Sequence, residues 1–250
     1  MKVAIVHYWF LTRRGGEKVI ESLLKIFPDA DIYTLFYDKE QYGDYLQNQK
    51  IYTSILNQNF LKKHYQKIFP LYPLGIKSLK MRSSYDLIIS SESGPAKGIE
   101  IPKGVPHICY VHSPMRYCWS NKEMYLNSVS RQIKPILSFF LERLRKWDET
   151  TIDNVDFYLS NSKNVSKRIE KYYHRKSEVV YPPISDDLFL KEVPFAKDRN
   201  QYLSFGAITP YKKIDLLVDT FNENKKNLVI IGDGSERKKL EKKAKKKYSV

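Results

Sequence analysis

Apolar and polar residues follow one another along the chain in blocks that predict alternating strands and helices. Short runs rich in β-branched and aromatic residues predict buried strands, and stretches with apolar residues three or four positions apart predict amphipathic helices. The strands predicted in the first part of the chain are residues 2–7, 31–37, 86–90, 107–112, 156–160 and 178–181. This alternation is typical of a doubly wound α/β fold with a parallel sheet.

The helices predicted between these strands differ in how clearly they are patterned. The first opens at Gly15 and Gly16 and ends at Pro28. A long helix is marked by its apolar residues, which are Ile133, Leu137, Phe140, Leu141, Leu144 and Trp147. Residues 38–84 are less regular, and the two prolines within 70–73 predict a break there.

The same patterns predict a complete first domain and the beginning of a second. Residues 1–184 hold all the strands named above and are expected to form a Rossmann-like domain. The polar, proline-containing stretch 185–200 predicts an interdomain linker. Residues 201–250 hold one strand–helix–strand unit and one basic helix, so we expect only part of a second Rossmann-like domain. A parallel sheet needs cover on both faces, and this part is therefore expected to expose an apolar face or edge.

The unit that begins the second domain predicts a phosphate-binding site. Strands are predicted at 202–205 and 228–231, with a helix between them whose apolar face is Ile214, Leu217, Val218 and Phe221. Gly206 lets the backbone approach a ligand closely, and Lys212 lies beside the positive end of the helix dipole. An ordinary turn with solvated lysines is the alternative interpretation.

Composition places the chain among globular proteins. Its hydrophobic content is 42% with 14% aromatic residues, and no run of 18 apolar residues is present to span a bilayer. The first ten residues lack a small-residue cleavage site, so no signal peptide is predicted. Cys109 and Cys118 are the only cysteines, which favours neither a disulfide framework nor a metal site. We therefore expect a soluble cytoplasmic protein.

The net charge of +15 is concentrated towards one end of the chain. Between Lys225 and Lys247 there are ten Lys and Arg residues against three acidic residues, a local charge of +7. Such a segment attracts polyanions, which include nucleotide diphosphates, anionic membranes and nucleic acid. A solvated basic helix is the alternative. Nucleic acid is not favoured as a partner, because the chain has no RNA-binding aromatic signature and no helix-turn-helix pattern.

Two segments of the first domain combine features expected at the carboxyl edge of its sheet. The pair Gly15 and Gly16 at a helix N-terminus would expose backbone N–H groups where an anion or a sugar hydroxyl could dock. A glycine turn needed only for chain direction is the alternative. His112 ends a predicted strand, so its imidazole is expected at the same edge, although a buried histidine with satisfied hydrogen bonds is the ordinary explanation. Arg116 follows and could hold a phosphate or form a structural ion pair.

Six segments in order resemble one family over essentially the whole chain. They are VAIVHYWFLTRRGGEKVIESLLKIFPDADIYTLFYD, YDLIISS, HICYVHSPMRYCW, YLSNSKNVSKRI, VVYPPI and PYKKIDLL with VIIGDGSERKKLE. The chain is similar to the GT-B glycosyltransferases of family 4, particularly the mannosyltransferase-like enzymes that build O-antigen and capsular polysaccharides. The resemblance implies a Rossmann-like acceptor-side domain over residues 1–184 and a nucleotide-sugar-binding domain that begins at residue 201.

The resemblance also implies a reaction and the residues that carry it. A hexose would pass from a nucleotide-diphosphate sugar to a glycan or lipid-linked acceptor, with retention of configuration. His112 would contact the donor sugar, and Lys212 with the nearby helix N-terminus would stabilise charge on the diphosphate. The implied substrate contacts are Gly15, Gly16, Arg116, Gly206 and Gly232. No cofactor is expected, and the scattered histidines with no carboxylate cluster predict an enzyme that uses no metal.

The chain departs from the family pattern at two points, which keeps a second interpretation open. Ala207 stands where related sequences usually have an arginine that binds the diphosphate. The family's glutamate-containing donor motif is expected further along than residue 250. The chain could therefore be a non-catalytic or split GT-B-like subunit that needs a complementing C-terminal half. Because acceptors of the family are often lipid-linked, we also expect a peripheral position on the anionic inner face of the membrane.

Overall fold

The computed structural model describes residues 1–81, 84–184 and 201–245. The chain divides into two compact units, Met1–Ile184 and Ser185–Val250. The linker predicted over 185–200 and the last residues of the basic terminus, 246–250, lie outside the described residues.

The first unit is built on a seven-stranded sheet in which every pair of neighbouring strands is parallel. The strands are β1 Val3–Phe10, β2 Asp31–Tyr37, β3 Ile51–Thr53, β4 Leu87–Glu92, β5 His107–Val111, β6 Phe157–Ser160 and β7 Glu178–Val179. Their order across the sheet is β3-β2-β1-β4-β5-β6-β7. The chain therefore winds outward from β1 to β3 and then returns to the other side of β1. The predicted parallel α/β fold is confirmed, and its topological switch point lies between β1 and β4.

Seven α-helices in the described residues of the first unit connect these strands. They are α1 Gly15–Ile26, α2 Lys39–Tyr42, α3 Asn59–Lys63, α4 Tyr72–Lys77, α5 Lys122–Asn127, α6 Lys134–Thr150 and α7 Lys163–Tyr173. Helix α1 packs its buried residues Ile20 and Leu24 against the sheet beside Ile5 and Ile32. The central strands are buried along almost their whole length because helices cover both faces of the sheet.

The sequence prediction differs from the structure in the irregular segment. The edge strand β3 was not predicted, since three half-exposed residues are too few to show a periodic pattern. The predicted break at 70–73 is wrong: Phe69–Leu71 forms a 3₁₀ turn, and Tyr72 begins α4 directly after it. Both prolines occupy first-turn positions, where the missing N–H costs no helical hydrogen bond.

The second unit begins with the predicted strand–helix–strand arrangement. Strand β8 Gln201–Phe205 pairs in parallel with β9 Asn227–Ile231, and α8 Ile214–Asn224 connects them. A short helix, α9 Arg237–Lys243, packs through Leu240 onto a small core with Ile208 and Val218. Four apolar residues of the strands are more than half exposed, as predicted for this unit: Tyr202 51%, Leu203 62%, Phe205 82% and Ile231 58%.

Candidate functional site

The carboxyl edge of the sheet at the switch point brings together polar side chains from three strands. In the β1–β4 register His7 lies opposite Ser91, so their side chains leave the sheet side by side. His112 follows β5 directly, and its backbone N–H donates to the carbonyl of Glu92 at 2.8 Å. In open α/β sheets this crevice, at the carboxyl ends of strands where the order reverses, is where ligands bind.

Two histidines of this edge share one buried hydroxyl group. Ser91 Oγ lies 3.0 Å from His7 Nδ1 and 2.8 Å from His112 Nε2. On the far side of His7, its Nε2 lies 3.8 Å from Oε1 of Glu17, whose other carboxyl oxygen accepts a 3.0 Å hydrogen bond from the Arg14 N–H. The interpretation of the histidines as scattered is therefore wrong for His7 and His112.

Burial keeps both histidines neutral near neutral pH. Loss of hydration lowers the pKa of the fully buried His7, although the nearby Glu17 carboxylate opposes this shift. Burial, with a smaller contribution from the neighbouring His7, lowers the pKa of His112 to about 4. A neutral imidazole has one N–H and one lone pair, so each ring can donate on one side and accept on the other.

Buried polar atoms that lack partners are concentrated at the same edge. His7 Nε2, Thr12 Oγ1 and Glu92 Oε1 have no hydrogen-bond partner within the residues that the structure describes. Each of them lies in or next to the end of β1 or β4. Since buried polar groups are nearly always paired, such atoms indicate a place where a ligand or water completes the hydrogen bonding.

The glycine pair begins α1 beside these residues. Gly15 and Gly16 are the first two residues of the helix and neither has a positive φ, so their backbone conformation does not itself require glycine. A Cβ on Gly16 would lie 2.5 Å from the Tyr8 hydroxyl oxygen, whereas one on Gly15 would meet open space. Gly16 therefore allows Tyr8 to approach the helix, and the first N–H groups of α1 point out of its end without helical partners.

A buried ion pair lies next to this edge and contacts Glu92 at the end of β4. Lys97 donates to Asp148 Oδ1 and Thr151 Oγ1, each at 2.5 Å, and both charged side chains are almost completely buried. The Lys97 backbone N–H donates to Oε2 of Glu92 at 2.8 Å. Burial raises the pKa of Glu92 to about 8, and the Lys97 charge only partly offsets this. Sequence reasoning missed this group, because Lys97 and Asp148 are 51 positions apart.

The loop after His112 is held by the neighbouring strand and helix. Asn161 donates from Nδ2 to the His112 carbonyl at 3.1 Å. Ser162 caps α7 by accepting a hydrogen bond from the Val165 N–H. Arg116 lies on the exposed part of the loop, where its carbonyl accepts a 2.7 Å hydrogen bond from the Asn121 N–H.

The predicted residues of the second unit lie at the carboxyl ends of its two strands. Gly206 and Gly232 have φ values of +137° and +154°, and a Cβ on Gly232 would overlap the Gly206 carbonyl oxygen. Gly232 is thus needed for close backbone packing, whereas Gly206 is needed for its positive φ, since a Cβ there would meet open space. Lys212 is exposed at the end of the 3₁₀ turn Pro210–Lys212, two residues before α8 begins. The described residues therefore place a cation next to a helix N-terminus that has no side-chain cap.

Two further properties concern the whole described part of the chain. Within residues 1–81, 84–184 and 201–245, no group of three or more His, Cys, Asp and Glu side chains is placed to hold a metal ion. Among the helices of these same segments, none has the length and apolar composition required to cross a bilayer.

Comparisons with known proteins agree with this architecture. Residues 13–188 match the family described as Glycosyltransferase Family 4, and residues 185–248 match Glycosyl transferases group 1. An uncharacterized glycosyltransferase of Methanocaldococcus jannaschii is 25% identical over 247 residues, covering 96% of this chain and 62% of the relative.

Solved structures share the fold at low sequence identity. The apo form of the lipopolysaccharide outer core galactosyltransferase WaaB is similar with a TM-score of 0.53 at 17% identity. Anabaena HepE in complex with UDP is similar with a TM-score of 0.60 at 10% identity. The alignments cover 97% of this chain but only 64% and 65% of those proteins. The chain thus spans slightly less than two thirds of the length of these relatives.

Proposed function

Because the chain belongs to Glycosyltransferase Family 4, as its motifs predicted, we propose that it takes part in the transfer of a sugar from a nucleotide-diphosphate donor to a glycan or lipid-linked acceptor. One observation carries the proposal: the first unit, most of which the family match covers, holds the His7–Ser91–His112 group at its switch point. This group is buried, neutral and open on the His112 side, as a site for sugar hydroxyl groups requires. A role in surface polysaccharide synthesis at the cytoplasmic membrane face is part of the proposal.

In the proposed reaction His112 contacts the transferred hexose, which keeps its anomeric configuration. The Gly15–Gly16 end of α1 and Arg116 would bind polar groups of the substrates at the same sheet edge. Anabaena HepE, which has the same fold, was solved with UDP and glucose, and this supports the choice of a nucleotide-linked hexose as donor.

Lys212 and the N-terminus of α8 are proposed to stabilise the departing diphosphate. Helix α8 has eleven residues, so its first N–H groups carry the positive end of a helix dipole. Lys212 is exposed and can turn its ammonium group toward an anion bound there. We propose that this charge stabilisation serves without a metal ion. Transfer that is lost in EDTA and restored by a divalent cation would contradict that part.

The experiment is a transfer assay that measures release of nucleoside diphosphate from a panel of nucleotide hexoses in the presence of lipid-linked acceptors. His112→Ala should lower kcat. Lys212→Ala should lower kcat/KM by about 10²- to 10³-fold, the usual effect of removing one transition-state charge partner. Lys226→Ala, another exposed lysine of the second unit, is the matched control and should leave the rate unchanged. Full activity in both test variants would contradict the proposed site.

The alternative is a non-catalytic or split subunit that acts with a complementing half. One observation favours it: the second unit leaves Leu203, Phe205 and Ile231 more than half exposed on its two strands. The assay separates the two functions. Transfer by the chain alone supports the enzyme, whereas transfer only after addition of a C-terminal donor domain in trans supports the split subunit.

A membrane-facing surface is proposed on α6 of the first unit. On its outer face Ile136 is 60% exposed to solvent and Phe139 is 57% exposed. The Arg143 guanidinium lies 5.7 Å from the Phe139 ring centre. Large apolar side chains beside cations suit an anionic lipid surface. The basic helix α9, which the sequence favoured for this role, has its Arg237 and Lys243 in ion pairs with Glu241 and Asp219.

Co-sedimentation with vesicles tests this surface. Binding should be stronger to vesicles containing phosphatidylglycerol than to pure phosphatidylcholine, and should weaken with salt. Replacing Ile136 and Phe139 by serine should reduce binding, whereas Phe60→Ser, at a side chain 72% exposed on α3, should not. Equal binding to both vesicle types would contradict the proposal. A serine variant that still binds vesicles but no longer self-associates would also contradict it.

A further inference from the structure

We propose that Glu17, His7, Ser91 and His112 form a polar chain of fixed direction, in which the Glu17 carboxylate orients the His7 ring by its charge across 3.8 Å and hydrogen bonds connect His7, Ser91 and His112. This polar chain makes Nδ1 of His112 an acceptor for a hydroxyl group of the bound sugar. His7 and Ser91 are then positioning residues that act through His112. The identity of the ligand rests on the proposed function, whereas the direction of the chain rests only on the contacts of the first unit.

The direction is set at the buried end by Glu17. Its side chain is 1% exposed, and its Oε2 is already used by the Arg14 N–H at 3.0 Å. The other oxygen, Oε1, faces His7 Nε2 at 3.8 Å. In this buried place a lone pair on Nε2 would be repelled by the carboxylate, whereas an N–H would be attracted to it. The neutral His7 ring therefore carries its proton on Nε2 and has a lone pair on Nδ1.

Ser91 passes this direction on to His112. A hydroxyl group has one proton to donate, and Ser91 Oγ lies 3.0 Å from the Nδ1 lone pair of His7. Once the proton is donated there, Ser91 Oγ can only accept from His112, whose Nε2 lies 2.8 Å away. His112 is therefore expected in the tautomer that is protonated on Nε2.

The open end of the chain is the second ring nitrogen of His112. Nδ1 has no hydrogen-bond partner within the described residues, and the side chain is only partly buried. As a bare lone pair it accepts from a sugar hydroxyl but repels a carboxylate or a carbonyl oxygen. His112 Nδ1 thus favours sugars that present a hydroxyl group at this point over uronic acids, which present a carboxylate.

The substitution Glu17→Gln tests the direction because it replaces one carboxylate oxygen by a hydrogen-bond donor and keeps the shape of the side chain. The glutamine oxygen is expected to keep the hydrogen bond from Arg14, so the amide N–H₂ turns toward His7 Nε2. Because the amide N–H₂ donates to His7 Nε2, that nitrogen must carry a lone pair. The His7 proton therefore moves to Nδ1. Ser91 must then accept from His7 and donate to His112 Nε2, and the His112 proton moves to Nδ1.

The measurement is the protonation of each ring nitrogen by long-range proton–nitrogen NMR on the full chain with ¹⁵N-labelled histidine. Wild type should show His112 protonated on Nε2, and Glu17→Gln should invert its tautomer ratio. Glu21→Gln, the same change one turn further along α1, should leave the ratio as in wild type. Ser91→Ala should remove the preference, because the two rings are then disconnected.

Several results would overturn the proposal. Wild-type His112 protonated on Nδ1 would refute it without any variant, so the test does not depend on the folding of Glu17→Gln. An unchanged His112 tautomer in folded Glu17→Gln would refute the link through His7. None of these spectra depends on sugar transfer, so failure of this inference and failure of the proposed function are distinguished.

Discussion

The substitution Lys97→Met should destabilise the first unit strongly, because it leaves a buried charge without its partner. Lys97 is completely buried, and its ammonium group donates to Asp148 Oδ1 and to Thr151 Oγ1 at 2.5 Å each. Methionine has nearly the same length and volume, so the change removes the charge without opening a large cavity. Asp148 would keep the hydrogen bonds from Trp119 and Tyr173 to Oδ2 and lose the donor to Oδ1.

The expected cost is large compared with the stability of a typical domain. Removing one partner of a buried ion pair costs about 3–5 kcal/mol, because the remaining charge stays out of water. Domains unfold with a free energy of about 5–15 kcal/mol, so about a fifth or more of the stability should be lost. With a urea dependence of about 3 kcal/mol per molar, the unfolding midpoint should fall by about 1–1.7 M.

The assay is urea unfolding followed by tryptophan fluorescence. All three tryptophans, Trp9, Trp119 and Trp147, lie in the first unit, so the signal reports on that unit alone. Lys80→Met is the matched control, because its ion pair with Glu100 has the same 2.5 Å distance but is exposed on both sides, and its midpoint should stay near that of wild type.

A double variant separates the charge from the hydrogen bonds. Adding Asp148→Asn to Lys97→Met removes the uncompensated charge, so the double variant should be more stable than Lys97→Met alone. A midpoint lowered by less than about 0.3 M in Lys97→Met would refute the reasoning. The pair would then be accessible to water rather than dry.

Two further predictions concern the sheet edge and the second unit. Burial raises the pKa of Glu92 to about 8 above an unfolded value of about 4.3, so stability present below pH 4.3 is lost as the pH rises to 8. Glu92→Gln should therefore gain stability over wild type between pH 5 and 8 in urea unfolding, and a constant difference would contradict this. Gly232→Ala should lower amide hydrogen-exchange protection of β8 and β9 more than Gly206→Ala, because only the former adds a clash with backbone; equal protection in both would count against it.

Local sequence patterns were enough to predict most elements and the order in which they occur. Strand β2 was predicted with its observed bounds, and α6 was predicted from the spacing of its apolar residues. The same spacing placed Ile133 and Phe140 on the buried face, but they are 50% and 38% exposed. Periodicity indicates which residues share a helix face, whereas the neighbouring elements decide how much of that face is covered.

The motifs also pointed to His112 and the glycine pair but not to the group in which His112 takes part. His112 was found because it ends an apolar strand before a polar loop, which is a local signal. His7 lay inside a strand pattern and Glu17 inside a helix pattern, so neither stood out from its neighbours. Gly16 was noticed for its backbone, whereas the structure shows that its missing side chain makes room for Tyr8.

What the sequence alone determined about this protein is therefore its α/β class, its strand order along the chain and its family. The tertiary structure decided which polar residues meet. His7 and Ser91 are 84 positions apart, and Ser91 and His112 are 21 apart, yet their side chains share hydrogen bonds. Such contacts depend on the crossing of the chain from β3 back to β4 beside β1 and on the register between the strands. Both follow from long-range packing of the whole sheet, which no local pattern of hydrophobic and polar residues records.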